Sequence, residues 1–305
     1  MSEVKSVAIA GASGNLGPHV VKAFLDADFQ VTVLTRSTKS GTGTGKGTYN
    51  SRVKVVPVDF TSVESLAAAL KGIDALVSTV AGAAIESQTV LIDAAVAAGV
   101  KRFIPSEYGS CTTSPKVAAL PLYASMFKIK QYLEEQATAG KLTWTVLACG
   151  AFLEFVLGGP MLLDFANHKA TLFDKGDNRT TVTSLPTIGK AIVGILKNFN
   201  ATKNRVVRIS EAIVTQNQLL RIAEGLRPNI KWEISEVQTS AVLKEGLDEL
   251  GAGDFSMPVF MKILKGTALA GDTYGAAFDE TDNDLLGVKE LTEEDLKKLI
   301  AGKLE

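Results

Sequence analysis

A short apolar run near the start of the chain is followed at once by a glycine-rich turn. The run is "SVAIA" and the turn is "GASGNLG", with glycines at Gly11, Gly14 and Gly17. Glycines at this spacing allow a tight turn, let backbone N–H groups approach a pyrophosphate, and let the next helix pack closely on the strand. A strand, this turn and a helix in that order predict a dinucleotide-binding unit built on a parallel sheet. The alternative is a structural turn that binds no ligand.

The rest of the first half repeats the same alternation of strand and helix. The predicted strands are "SVAIA", "QVTVLT", "VKVVPVDF", "DALVSTV", "KRFIPS" and "LTWTVLA", and helices are predicted to begin near Leu16, Ser62, Ile85 and Leu122. Short β-branched runs between Ala- and Leu-rich stretches are typical of a parallel sheet covered by helices on both faces. The predicted fold class is therefore α/β, a doubly wound parallel sheet of the Rossmann type, with ligands at the carboxyl ends of its strands.

The alternation fades after Gly150, which predicts two domains. We expect an NADP-binding Rossmann domain over residues 1–155 and a smaller, mainly helical substrate lobe over residues 156–305. "TSLPTIGKAIVGILKN" and "NRVVRIS" predict a helix and a strand, so that about 184–212 returns to the main sheet. The predicted amphipathic helices of the lobe are "AVLKEGLDEL", "FSMPVFMKILKGTALAG" and "LTEEDLKKLIAG". The Gly/Thr-rich "SGTGTGKGT" at 40–48 is expected to be a flexible loop.

Composition excludes several classes of partner. Lys and Arg number 32 against 33 Asp and Glu, a net charge of -1, so no basic field is available for nucleic acid or an anionic membrane. Cys111 and Cys149 do not form a Cys-x-x-Cys pair, and the start of the chain lacks the layout of a signal peptide. We therefore expect a cytoplasmic protein in a reducing compartment. His19 and His168 belong to no metal-ligand pattern, and no metal site is expected.

The end of the second predicted strand indicates which dinucleotide binds. Arg36 lies about 20 residues past the glycines, where an NAD enzyme presents Asp or Glu to the ribose 2′-hydroxyl. An arginine cannot accept that hydrogen bond, but it can bind a 2′-phosphate through two N–H groups and stack on adenine. The residue therefore favours NADP(H) over NAD, with a solvated loop arginine as the alternative. Phe60, after the third strand, would border the adenine or pack in the core.

Several segments also resemble a known family. "GASGNLG", "VTVLTR", "GVKRFIPSEYG" and "YASMFKIKQYLEEQ" followed by "LTWTVLACGAF" arrive in the order and spacing of the NmrA-like family. The likeness is greatest to its isoflavone-reductase-like branch of atypical short-chain dehydrogenases, and it covers roughly Val4 to Phe155. It implies a Rossmann core that binds NADPH and a small C-terminal lobe over the cofactor.

The resemblance implies roles for individual residues. Cofactor binding is implied at Gly11, Ala12, Ser13, Gly14, Asn15, Leu16, Gly17, Arg36, Ser78, Thr79, Val80 and Ser106. It also implies a substrate pocket that includes Glu107, Tyr108 and Phe152. Ser106 and Glu107 could instead cap the next segment, and Phe152 could be ordinary core. Glu154, between two apolar residues, could be an acid of the pocket, although an exposed loop charge is the favoured interpretation.

The helix that begins with "YASMFK" lacks the expected proton donor. In isoflavone-reductase-like enzymes the general acid is a lysine three residues before one buried aliphatic residue and seven before a second. Ile129 and Leu133 resemble that pair, which assigns the lysine position to Met126. Methionine cannot transfer a proton, so we expect Met126 to line the substrate pocket.

Three neighbours on this helix are candidate catalytic residues. At about 100° per residue, Lys128 lies about 200° from Met126, and Lys130 lies about 40° away and one turn farther along. Tyr123, one turn earlier on the side of Met126, is a candidate phenolic donor. Both lysines could instead belong to a solvated helix face, and an alignment shifted by two residues would restore Lys128 as the donor.

Three functions are consistent with these observations. The first is a reductase that transfers a hydride from NADPH to a small conjugated, aromatic substrate. The second is a non-catalytic NADP(H) sensor that binds a partner protein. The third is a non-redox enzyme that keeps NADP as a scaffold and uses Glu154, Glu107 or Tyr123 as its acid.

Overall fold

The computed structural model describes residues 4–36, 50–159 and 161–304, so the Gly/Thr-rich stretch 40–48 lies outside the described residues. In chain order the strands are β1 (Ser6–Ala10), β2 (Gln30–Arg36), β3 (Val53–Val58), β4 (Ala75–Ser78), β5 (Arg102–Ile104), β6 (Thr143–Ala148), β7 (Ala151–Phe152), β8 (Lys169–Phe173), β9 (Thr180–Thr183), β10 (Arg205–Arg208), β11 (Ala212–Val214) and β12 (Glu233–Val237). The helices are α1 (Gly17–Asp26), α2 (Val63–Leu70), α3 (Gln88–Ala98), α4 (Pro121–Thr138), α5 (Leu153–Gly158), α6 (Leu185–Lys197), α7 (Gln216–Leu226), α8 (Thr239–Gly251), α9 (Met257–Ala268), α10 (Asn283–Leu286) and α11 (Glu293–Ala301).

Seven of the strands form one parallel sheet. Their order is β10-β6-β5-β4-β1-β2-β3, and every neighbouring pair is parallel. The chain moves outward from β1 in one direction through β2 and β3, and in the other through β4, β5 and β6. This reversal beside β1 is the switch point of a doubly wound fold, where ligands bind. The predicted α/β class is confirmed.

The inner strands β1 and β4 are buried on both faces, which explains their continuous apolar runs, whereas the edge strand β3 is mostly exposed. Val7 and Ile9 of β1 point into a core shared with α1 and α6. Ala8 and Ala10 alternate with them and point into a second core, formed with α2, α3 and α4. Side chains on successive strand residues face opposite sides. A strand that is buried on both sides therefore favours apolar residues at successive positions.

Helix α6 and strand β10, which come late in the chain, return to this sheet. α6 packs against α1, where a Cβ on Gly189 would lie 2.7 Å from the carbonyl oxygen of His19. The glycine therefore lets the two helices approach closely. β10 then pairs with β6 in parallel, with Val206 opposite Val146. The division of the chain at residue 155 stays a prediction.

The C-terminal region is largely helical, as predicted. α8, α9 and α11 form where the sequence pattern indicates amphipathic helices. Two short sheets, β11-β9-β7 and β12-β8, also occur there and were not predicted. Within the described ranges, no helix is both long and apolar enough to cross a membrane.

A fully buried arginine joins the last strands of the main sheet. The Arg102 side chain donates hydrogen bonds to the hydroxyls of Thr143 (2.8 Å), Thr145 (2.6 Å) and Thr202 (3.1 Å). It also donates to the Phe199 carbonyl at 2.7 Å and lies 4.1 Å from the centre of that ring. Burial lowers the pKa of Arg102 to about 10, so it stays charged at neutral pH. This one side chain ties β5 and β6 to the loop before β10.

A cavity of about 1110 Å³ opens at the amino edge of the sheet, close to Arg102. Its lining includes Phe29, Lys101, Thr143 and Phe199. Ligands of doubly wound sheets bind at the opposite, carboxyl edge. We therefore assign no ligand to this cavity, despite its volume.

Candidate functional site

The carboxyl ends of β1 and β4 are tied together at the switch point. Ala10 lies opposite Ser78, and the Ala10 carbonyl accepts both the Thr79 N–H at 2.8 Å and the Thr79 hydroxyl at 3.0 Å. The buried Ser78 hydroxyl has no hydrogen-bond partner among the described residues. An unpaired hydroxyl at this position is a group that a bound cofactor could satisfy.

The glycine-rich turn lies directly above this junction. Gly11 has a φ of +85°, and a Cβ there would lie 2.6 Å from the Thr79 carbonyl carbon. At Gly17 a Cβ would lie 2.4 Å from the carbonyl carbon of Ala12, so α1 can begin only with glycine at this contact. Gly14 donates its N–H to the Gly11 carbonyl at 3.0 Å. Ala12 and Leu16 are buried beneath the turn, and Ser13, Gly14 and Asn15 are exposed on it. The turn therefore presents exposed backbone at the positive end of the α1 dipole.

Arg36 and Phe60 lie at the carboxyl ends of the next two strands. Arg36 is the exposed last residue of β2 and pairs in register with Val58 of β3. Phe60 follows two residues later and is half-buried against the core of the α2 side. Both predicted adenine contacts are therefore at the edge of the sheet that carries the glycine turn. The guanidinium is exposed where a 2′-phosphate is expected.

Ser106, after β5, is held by a buried glutamine. Its N–H donates to Gln88 Oε1 at 2.7 Å, while Gln88 Nε2 donates to the Ile85 carbonyl at 3.2 Å and to the Ser106 carbonyl at 3.4 Å. The Ser106 hydroxyl donates to the Val80 carbonyl. The loops after β4 and β5 are therefore fixed to each other. Sequence reasoning missed Gln88, although a polar residue on the apolar face of "QTVLIDAAV" could have indicated it.

Tyr108, two residues after Ser106, connects the same turn to β4. Its hydroxyl donates to the Ser78 carbonyl at 3.0 Å, and burial raises the pKa of its phenol well above the usual value. Its φ of +43° is rare for a residue with a large side chain. The phenol is thus engaged with the backbone of β4, and a contact between Tyr108 and a substrate stays a prediction.

Glu107 lies between these two anchored residues. Its Oε1 is buried and has no hydrogen-bond partner among the described residues. Burial raises the pKa of Glu107 to about 7, and the nearby Thr112 hydroxyl and Lys130 charge only partly offset this. The carboxyl group can therefore hold a proton near neutral pH. This property of a predicted pocket residue was not evident from the sequence.

Tyr123 of α4 lies away from solvent in a small hydroxyl network. It is 1% exposed, and its hydroxyl lies 2.5 Å from Thr267 Oγ1, which donates onward to the Ile263 carbonyl at 2.8 Å. Cys111 Sγ lies 3.7 Å from the Tyr123 hydroxyl. Burial raises the pKa of Tyr123 far above its usual value. This placement argues against Tyr123 as a proton donor to a substrate.

The remaining candidates on α4 lie on different sides of the helix. Met126 is half-buried and packs against the cluster of Cys111, Val117 and Tyr123. Lys128 is exposed, as its angle from Met126 predicts. Lys130 Nζ lies 3.0 Å from a carboxylate oxygen of Glu134, and its side chain is 33% exposed. The Lys130 charge also lowers the pKa of Glu107, against the larger opposite effect of burial.

Phe152 is the last residue of β7, and Glu154 lies in the first turn of α5. Phe152 pairs with Thr183 and is half-buried against the core that contains α1 and α6. Glu154 is exposed, and both of its carboxylate oxygens lie 3.1 Å from the N–H of Leu185, the first residue of α6. Glu154 therefore stabilises a helix N-terminus, which favours the interpretation as an exposed charge over an acid of the pocket.

The described residues contain no group of three or more His, Cys, Asp and Glu side chains that could hold a metal ion. The polar groups at this edge are the glycine turn, an exposed arginine, fixed hydroxyls and one buried carboxyl. They fit a phosphorylated dinucleotide, because backbone N–H groups and arginine are the usual ligands of phosphate.

Known proteins resemble this chain in sequence and in fold. The model of the NmrA-like family matches residues 3–273. Oxidoreductase aprR of Aspergillus flavus is 31% identical over 92% of this chain and 94% of its own length. The crystal structure of isoflavone reductase has a TM-score of 0.77 at 20% identity, covering 99% of both chains. The complex of AtPrR2 with NADP+ and (+)pinoresinol has a TM-score of 0.78 at 22% identity, covering 99% of this chain and 100% of that one.

Proposed function

The chain belongs to the NmrA-like family, and on that premise we propose that it is an oxidoreductase that transfers a hydride from NADPH to a small conjugated, aromatic substrate. The observation that carries the proposal is Arg36, exposed at the carboxyl end of the strand next to the glycine turn. Further support comes from the name of the Aspergillus flavus relative, an oxidoreductase that matches nearly the whole chain.

The cofactor would lie across the switch point. The turn from Gly11 to Gly17 would bind the pyrophosphate, and Arg36 would bind the 2′-phosphate. Ser78 would offer its unpaired hydroxyl, and Ser106 would lie beside the nicotinamide end. Bound NADPH supplies the hydride. The chain's part is to orient the cofactor and the substrate and to manage the proton that accompanies the hydride.

The substrate class is proposed from the lining and from a relative. Met126 and Phe152 are half-buried apolar side chains that the family resemblance assigns to the substrate pocket, and apolar lining suits a planar, conjugated molecule. AtPrR2, of the same fold, has been crystallised with the aromatic compound (+)pinoresinol. Both observations favour an aromatic substrate over a sugar or an amino acid.

We expect Arg36→Ala to weaken NADPH binding by about tenfold or more, because a charge-assisted phosphate contact contributes about 1.5–3 kcal/mol. NADH lacks the 2′-phosphate, so its affinity should hardly change. Isothermal titration calorimetry with both cofactors measures the two effects. The matched control is Arg52→Ala, which removes an exposed arginine at the start of β3, 3.4 Å from Asp28 and at the opposite edge of the sheet. Equal losses for NADPH and NADH in Arg36→Ala would remove this residue from the proposed role.

One observation favours a second candidate function, an NADP(H) sensor without chemistry. Met126 occupies the position that resembles the general-acid lysine of isoflavone-reductase-like enzymes. A protein that only reports the cofactor's redox state has no need of a proton donor. Oxidation of NADPH that depends on an added aromatic compound would favour the reductase, and preferential binding of a protein partner in one redox state would favour the sensor.

A further inference from the structure

We infer that Glu107 is the proton donor of this site, a catalytic residue that takes over the task Met126 cannot perform. The inference rests on the proposed reductase function and gives hydride transfer a named proton donor, whereas the sequence offered Glu107 as an acid only for a non-redox enzyme. Four observations support it. They are a buried carboxyl oxygen without a hydrogen-bond partner, hydrogen bonds that fix the turn carrying Glu107, the charge of Lys130, and the position of Glu107 relative to Met126.

The first observation is the environment of the carboxyl group. Glu107 Oε1 is buried without a hydrogen-bond partner among the described residues, although the residue as a whole keeps intermediate exposure. Glutamate is almost never buried unless it is paired, because an unpaired buried polar atom is costly. The Thr112 hydroxyl is close enough to lower the pKa of the carboxyl group, but no donor among the described residues lies within hydrogen-bond distance of Oε1. An oxygen left without one is what a group that must bind and release a proton requires.

The second observation is the rigidity of the turn that carries Glu107. On one side, Ser106 is fixed by Gln88 through its N–H at 2.7 Å and by the Val80 carbonyl through its hydroxyl. On the other, the Tyr108 hydroxyl donates to the Ser78 carbonyl at 3.0 Å. These contacts connect the turn to α3, to the loop after β4 and to the end of β4, beside the predicted nicotinamide end. The carboxyl group is therefore held at a defined place, as general acid catalysis needs.

The third observation is the set of titratable groups around the carboxyl. Burial raises the pKa of the carboxyl group, and the Thr112 hydroxyl of the same loop and the Lys130 charge of α4 partly offset the increase. Burial raises the pKa values of Cys149, after β6, and Cys111, and in both cases the neighbouring Glu107 adds to the increase. Both thiols therefore stay neutral, and Lys130 is the cation that can stabilise the carboxylate after proton release.

The fourth observation is the position of Glu107 relative to α4. Met126 and Lys130 are one turn apart on the same side of the helix. Met126 packs against the cluster that contains Cys111. Burial raises the pKa of Cys111, Glu107 adds to the increase, and the Lys130 charge lowers the pKa of Glu107. Glu107 is therefore next to the segment of α4 where a lysine donor is missing.

The proton transfer follows from this arrangement. When the hydride adds to the electrophilic carbon of a conjugated double bond, the π electron pair moves to the far atom of the conjugated system. That atom takes the proton from Glu107, whose O–H bond breaks and whose oxygen keeps the bonding pair. The resulting carboxylate lies near Lys130 and is reprotonated from solvent before the next turnover. One hydride and one proton are consumed for each double bond reduced.

The test compares Glu107→Gln with Glu135→Gln in the full-length protein. Glu135 lies on the exposed side of α4 and accepts a hydrogen bond from Gln131 at 3.1 Å, so its substitution controls for the loss of one carboxylate. We expect Glu107→Gln to lower kcat on conjugated aromatic enones by about 100-fold or more, the usual contribution of a general acid. NADPH affinity, measured by calorimetry, should stay within about twofold. The unmodified protein should lose activity above about pH 7 as the donor ionises, and the residual rate of the variant should not follow that profile.

A second readout is independent of turnover. Infrared difference spectra recorded just below and just above pH 7 should show the band of a protonated carboxyl group in the unmodified protein. Glu107→Gln should lack that band. A protein that reduces the enones while Glu107→Gln keeps its kcat and its pH profile overturns the inference and leaves the proposed function intact. A protein that reduces none of them contradicts the proposed function. In that case a carboxyl band that is absent, or that persists in the variant, overturns the inference as well.

Discussion

Gly11→Ala should weaken NADPH binding by about 100-fold or more, a loss of about 3 kcal/mol of binding free energy. The added Cβ would lie 2.6 Å from both the carbonyl carbon and the carbonyl oxygen of Thr79. These are backbone atoms of the loop after β4, and they cannot move aside as a flexible side chain can. The φ of +85° adds about 1–2 kcal/mol of strain for any residue with a Cβ. The turn must therefore shift away from the position in which it would bind a pyrophosphate.

Gly72→Ala separates strain from the close contact. Gly72 has a φ of +79°, similar to that of Gly11, but a Cβ there meets no atom within 4 Å. Both variants should lose some stability to thermal unfolding, and only Gly11→Ala should lose cofactor affinity. Calorimetric titration with NADPH checks the difference. If both variants bind NADPH as well as the unmodified protein does, the turn at Gly11 is a structural feature and does not bind the cofactor.

Arg102→Ala should lower the free energy of unfolding by about 3–5 kcal/mol, the range for truncating a large buried side chain. Arg102 is fully buried, and its truncation leaves the Phe199 carbonyl and the hydroxyls of Thr143 and Thr145 without their donor. The loop before β10 then loses its ties through Arg102 and keeps its direct hydrogen bonds to β6 from Thr202 and Asn204. Urea denaturation measures the change. NADPH affinity at the opposite edge should be unaffected wherever the variant is folded.

Arg205→Ala is the matched control for this loss. Arg205 lies on β10 itself, and its guanidinium is 2.8 Å from Asp282, with 38% of the side chain exposed. An ion pair this exposed contributes about 0–1 kcal/mol, so the variant should unfold close to the unmodified protein. Similar small losses for both arginines would mean that burial of Arg102 does not hold the edge of the sheet.

The centre of the main sheet was predictable because its inner strands are buried on both faces. After Ser6, "SVAIA" is apolar toward both cores, and the glycine turn after it adds the order of strand and helix. The short sheets of the second lobe lack such local patterns. β8 and β12 pair in parallel, with Lys169 opposite Glu233, and β12 is mostly exposed. Their pairing depends on contacts between distant segments, which no window of sequence contains.

The candidate site likewise contains residues that could be predicted from the sequence and one property that could not. Cofactor-binding roles could be predicted for Gly11 and Arg36 because those predictions follow from residue type and from distance along the chain. The raised pKa of Glu107 could not, because it comes from burial of the carboxyl group in the folded chain, against the opposing effects of Thr112 and of Lys130 on α4. Helical angles did predict that Lys130, rather than Lys128, lies on the side of Met126. They gave no indication that a carboxyl group lies nearby.

The most direct test of the reductase proposal follows the hydride itself. The unmodified protein is incubated with NADPH that carries deuterium at the transferable position of the nicotinamide, together with conjugated aromatic enones, and the products are analysed by mass spectrometry and NMR. We expect one deuterium per reduced molecule, on one face of the former double bond, with one NADPH oxidised for each product. Binding of NADPH with no deuterium in any recovered compound would contradict hydride transfer and favour the sensor.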